Sequence, residues 1–149
     1  MGRFFSLVQI KNNGSREQFL KAFCDVMKKR SLVPCSEKES SVSYILAFSE
    51  SGKWVTLASK EYRDNPKQVK DDAKQTAAEM KTSSFSMDVV DSDWTYIELH
   101  TGADVHDTVM VGRSEFDEEH SPKGRRECWE PILAPGKTWE QISEIWNKN

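Results

Sequence analysis

The amino-acid sequence predicts an α+β fold. Its core is a β-α-β-β-α-β unit of the split βαβ type, extended by a β-hairpin and a C-terminal helix. Three observations carry this expectation. Strand-like and helix-period segments alternate in that order, with no internal repeat and no linker. Helix-start signals stand before each helical segment, at Ser15, Asn65 and Thr138. The chain has 149 residues, 37% hydrophobic and 10% aromatic, enough to bury one core without disulfide staples. The expected product is a single domain over residues 1–149, with a mainly antiparallel sheet and helices on one face.

The first strand spans Phe4 to Ile10, dense in aromatic and branched residues and halted by Asn12-Asn13-Gly14. Ser15 then caps a helix, with Gln18 at the reciprocal capping-box position. Phe19, Leu20, Phe23 and Met27 recur at intervals of three and four and define its apolar face. Cys24 beside them is expected to be buried as a small hydrophobe. Lys28, Lys29 and Arg30 close the helix, where cations suit the exposed carbonyl end. A polar connection follows, then two short strands, Tyr44 to Phe48 and Trp54 to Ser59, joined as a hairpin through Gly52.

Asn65 and Pro66 start the second helix, with Gln68 expected to complete a second capping box. Val69, Ala73, Ala77 and Met80 form its narrow apolar stripe, whose small residues suit close approach to a sheet. The next strand, Phe85 to Val90, is expected to turn Phe85, Met87 and Val89 to the core and Ser86 and Asp88 away. Thr95 to His100 and His106 to Val111 make the added hairpin. Residues 112–127 are charged and unpatterned, which predicts a long surface excursion. Trp139, Ile142, Ile145 and Trp146 supply the apolar face of the last helix.

Several chemistries fail for want of residues. Neither GxGxxG nor GxxxxGK[ST] occurs, so no glycine-rich phosphate cradle is expected. Asp91 and Asp93 resemble the start of a calcium loop, but Tyr96 stands at its glycine position and Gly102 at its closing glutamate. His100, His106, His120 and Cys128 match no zinc-ligand spacing. No metal and no cofactor is therefore expected. Three cysteines without a CxxC pair fit a reducing, cytoplasmic setting rather than a disulfide framework. No window approaches the roughly 20 apolar residues of a membrane helix. Lys123, Arg125 and Arg126 lack interleaved aromatics, so nucleic acid is not the expected partner.

Charge is distributed unevenly. Between Ser86 and Glu119 stand ten acidic residues against one base, Arg113, while the rest of the chain holds twenty bases and fourteen acids. Solvated strand faces and turns account for part of this. A single-sign surface also steers association with a partner of opposite charge. That reading places Asp91, Asp93, Trp94, Asp104, Asp107, Glu115, Asp117, Glu118 and Glu119 in contact with a basic protein, with Trp94 as the aromatic anchor.

The strand KWVTLAS, a helix ending near Met80, MDVVDSD, YIELHTG and the closing segment from Trp129 to Ile142 follow one another in a set order. In this the chain resembles small uncharacterised bacterial proteins, some of them associated with toxin–immunity loci. The resemblance implies a binding module and brings no catalytic residue with it. Two function classes follow. The first is a non-catalytic, immunity-like binding protein that uses the acidic surface. The second is a small enzyme or ligand-binding domain with a carboxylate and histidine cleft drawn from Asp91, Asp93, His100, His106, His120 and Cys128.

Overall fold

The computed structural model describes residues 4–59, 65–90, 94–102, 104–112 and 123–147. Among them lie six strands: β1 (Phe4–Lys11), β2 (Tyr44–Phe48), β3 (Trp54–Ser59), β4 (Ser83–Val90), β5 (Trp94–Thr101) and β6 (Asp104–Gly112). Four helices accompany them: α1 (Arg16–Lys29), α2 (Pro66–Glu79), α3 (Arg126–Trp129) and α4 (Trp139–Trp146). The strands form one antiparallel sheet in the order β2-β3-β1-β4-β5-β6, and helices pack on it. Its first four members give the split βαβ order, and β5 and β6 extend it at one end. The α+β class is as the sequence predicts.

The chain falls into two compact units. One comprises Leu7–Ser86 with His100–Asp104, and the other Met1–Ser6, Met87–Leu99 and Val105–Asn149.

In the first unit, β3 lies antiparallel between β1 and β2, with Ile10 opposite Val55, Val8 opposite Leu57 and Leu46 opposite Leu57. The core joins Val8, Ile10, Val55 and Leu57 to Phe19 and Phe23 of α1 and Val69, Ala73 and Ala77 of α2. Ser15 and Gln18 cap α1 reciprocally, as expected. The apolar stripe runs through Phe19, Phe23 and Val26, while Leu20 is exposed. Asn12 does more than halt β1. Buried, it donates to the Gly52 carbonyl at 3.0 Å and accepts from the Gly14 amide at 3.1 Å, tying the β2–β3 turn to the start of α1.

Asn65 caps α2 through the Gln68 amide, but the Gln68 side chain does not complete a box. It donates instead to Asp72 Oδ1 at 3.0 Å. Asp72 is 1% exposed, and its other oxygen takes hydrogen bonds from Arg30 and from the Tyr44 hydroxyl. One buried carboxylate thus links the end of α1, the start of β2 and α2.

The faces of β4 are inverted relative to expectation in its first half. Ser84 and Ser86 are buried, whereas Phe85 meets Trp54 edge to face at 5.5 Å. Trp54 points away from its neighbour Val55, a core residue, so Phe85 shares the face opposite the core.

The second unit buries Ile97, Leu99, Val109, Cys128 and Trp129. Trp146 packs edge to face on both Trp129 and Trp139, at 5.0 and 5.7 Å. Gly124, at φ +79°, sits where a Cβ would fall 2.7 Å from Val109 Cγ2, so only glycine fits beneath this aromatic cluster. Of the excursion expected over residues 112–127, residues 113–122 lie outside the described residues, and its end is helical from Arg126. Ile145 is 60% exposed, and α4 contributes no buried residue, contrary to the reading of Ile145 as part of its packed face.

A candidate acidic binding face

The acidic strands of the second unit converge on Tyr96. Alternation along β5 sets Trp94, Tyr96 and Glu98 on one side, all half-buried. Burial is the first cause that lifts the Tyr96 phenol above its ordinary range, and the carboxylates of Glu98 and Asp88 add to it. A hydrogen bond with the Thr108 side chain opposes the rise. The two acids therefore lie within electrostatic reach of one phenol, from neighbouring strands. Asp88 is positioned in turn by Ser6, whose hydroxyl donates to its Oδ1 at 2.6 Å. Asp88 and Glu98 were legible in the sequence only as members of an acid-rich stretch. Their joint effect on Tyr96 is not revealed by periodicity alone.

At the start of β6, Asp104, Val105 and His106 are all exposed. Asp107, expected at the partner surface, has its carboxylate engaged within the unit. It accepts from Trp129 Nε1 at 2.7 Å, from the Arg125 amide at 2.7 Å and from Arg125 Nε at 3.3 Å. Burial pushes its pKa up. The hydrogen bonds from Arg125 and Trp129 outweigh that, and the group titrates below the usual carboxylate range. Arg125 also donates to the His106 carbonyl at 2.6 Å, so the segment before α3 is clasped against β6.

The basic residues that follow are similarly occupied. Arg125 pairs with Asp107, and Arg126 reaches Glu130 at 2.9 Å and Glu140 at 3.0 Å. The latter pair joins α3 to α4.

The proposed cleft residues have diverse surroundings. His100 is 1% exposed and belongs to the first unit, while His106 is exposed in the second. Cys128 is buried, and burial raises its thiol pKa, so at neutral pH it stays protonated and poorly nucleophilic. Among the described residues no three His, Cys, Asp or Glu side chains are grouped as a metal ion needs. Asp91, Asp93, Glu115, Asp117, Glu118, Glu119 and His120 lie outside the described residues. What the described arrangement offers chemically is a local negative potential at Tyr96, to which Asp88 and Glu98 contribute. No family model, no curated protein and no solved structure matches this chain.

Proposed function

We propose that this protein is a non-catalytic binding module, immunity-like in its mode of action, whose acidic strand face engages a basic partner protein. The observation that carries the reading is that the Asp88 and Glu98 carboxylates both act on half-buried Tyr96 and raise its phenol pKa. Aromatic and charged groups together give a surface both an anchor and a sign, with Trp94 alongside on β5. A reducing, cytoplasmic setting accords with the thiols of Cys24, Cys35 and Cys128. No helix among the described residues is long and apolar enough to cross a membrane. The pairing of Arg125 and Arg126 with carboxylates argues for a protein rather than a nucleic-acid partner.

Affinity capture with the tagged chain from its native lysate tests this reading. A single stoichiometric basic protein retained at low salt and released at high salt is the expected result. Retention that is indifferent to salt, or capture of an acidic protein, contradicts it.

A further inference from the structure

A cavity of about 490 Å³ opens beside the C-terminal half of α1, entirely within the first unit. Its walls are Phe23, Cys24 and Met27 of the helix, the connection through Val33 and Cys35, and the approach to Tyr44. No charged side chain lines it among the described residues. Its size falls within the range of small-molecule sites. Two features give it a chemical preference. Phe23 and Tyr44 meet edge to face at 5.4 Å and 76°, forming an aromatic corner that a third ring can continue. Cys24, Met27 and Cys35 all line the same space, and polarisable sulfur packs favourably against aromatic rings. The corner is also fixed before any ligand arrives. The Tyr44 hydroxyl donates to Asp72, which Arg30 and Gln68 hold in turn.

We propose that this cavity is a binding site for an uncharged aromatic molecule, seated against Phe23 and Tyr44 with the three sulfurs around its ring. The site is independent of the acidic face and of the partner assigned to it.

The test uses the whole chain and phenyl-naphthylamine, an uncharged aromatic probe whose fluorescence rises in apolar surroundings. The expected result is saturable binding of one probe per chain. Saturation slows maleimide modification of Cys35, which is exposed in the empty protein. Val33, 76% exposed at the cavity wall, can be enlarged without disturbing the core. Val33→Trp is expected to weaken probe binding about tenfold, a loss of about 1.4 kcal/mol. Ser41→Trp, at another lining position, repeats the test should the first variant not fold. Val105→Trp, at an exposed position of β6, leaves probe binding unchanged. The sulfonated counterpart, anilinonaphthalene sulfonate, binds more weakly. Non-saturable uptake overturns the proposal. So does binding that neither protects Cys35 nor responds to tryptophan at position 33 or 41, or that favours the sulfonate.

Discussion

Asp72 and Asp107 are each a carboxylate that the fold uses as a fastener, and they differ in what their loss exposes. Removing Asp72 takes away the acceptor that the half-buried Arg30 guanidinium and the Tyr44 hydroxyl share. Asp72→Ala is expected to cost about 2 kcal/mol, the scale of a lost hydrogen bond to a charged group, measured by urea denaturation at neutral pH. Asp107 titrates below the usual range because its charged form is hydrogen-bonded in the folded state. Its contribution is therefore complete above the unfolded carboxyl value of about 4 and fades as pH falls through the lower folded value. Asp107→Asn should lower stability at neutral pH by about 1–3 kcal/mol. That deficit should shrink toward strongly acidic pH, and a deficit that is constant with pH would contradict the clasp. Tyr96 provides a third readout. Because Glu98 and Asp88 help raise it, Glu98→Gln and Asp88→Asn should each move its absorbance titration downward.

At the scale of elements, most strands and helices were legible because each carries its own local signal. Ser15 with Gln18, and Thr138 with Gln141, form capping boxes as the spacing implies. Ser15→Ala should cost about 1 kcal/mol, read by thermal melting. The second box fails because the Gln68 side chain turns to Asp72, a turn further along α2, and donates to it. That acceptor becomes visible only once Arg30 and Tyr44 have drawn the carboxylate inward. The reversal in β4 has a similar origin. Phe85 and Met87 look like core residues by hydrophobicity, yet Ser84 and Ser86 turn inward and Phe85 finds Trp54 on the opposite face. Register is set by the whole sheet, and a shift of one residue exchanges the two faces. The α3 helix was hidden inside a charged stretch because its buried pair, Cys128 and Trp129, is too short to show a period. Gly124 ahead of it holds a positive φ under a tryptophan cluster. Gly124→Ala should destabilise by about 2 kcal/mol through overpacking against Val109, with the Trp129 fluorescence environment altered as well.

For the molecule as a whole, composition predicted the fold class more firmly than the site. The excess of acid between Ser86 and Glu119 is plain in the sequence, but sequence cannot separate a carboxylate that faces outward from one that holds the fold. Asp107 is tied to Arg125 and Trp129, and Asp88 and Glu98 each raise the Tyr96 phenol pKa. Three-dimensional neighbours decide such roles, and residue type alone does not name those neighbours. The same limit applies to Cys24 and Cys35. Their spacing announces nothing, yet both border one cavity. The central claim concerns the acidic face, and calorimetry with the captured basic partner tests it most directly. Asp88→Asn with Glu98→Gln, checked for native folding by circular dichroism, is predicted to weaken binding about tenfold and to flatten its salt dependence. Unchanged affinity and unchanged salt dependence in that folded variant would contradict the account.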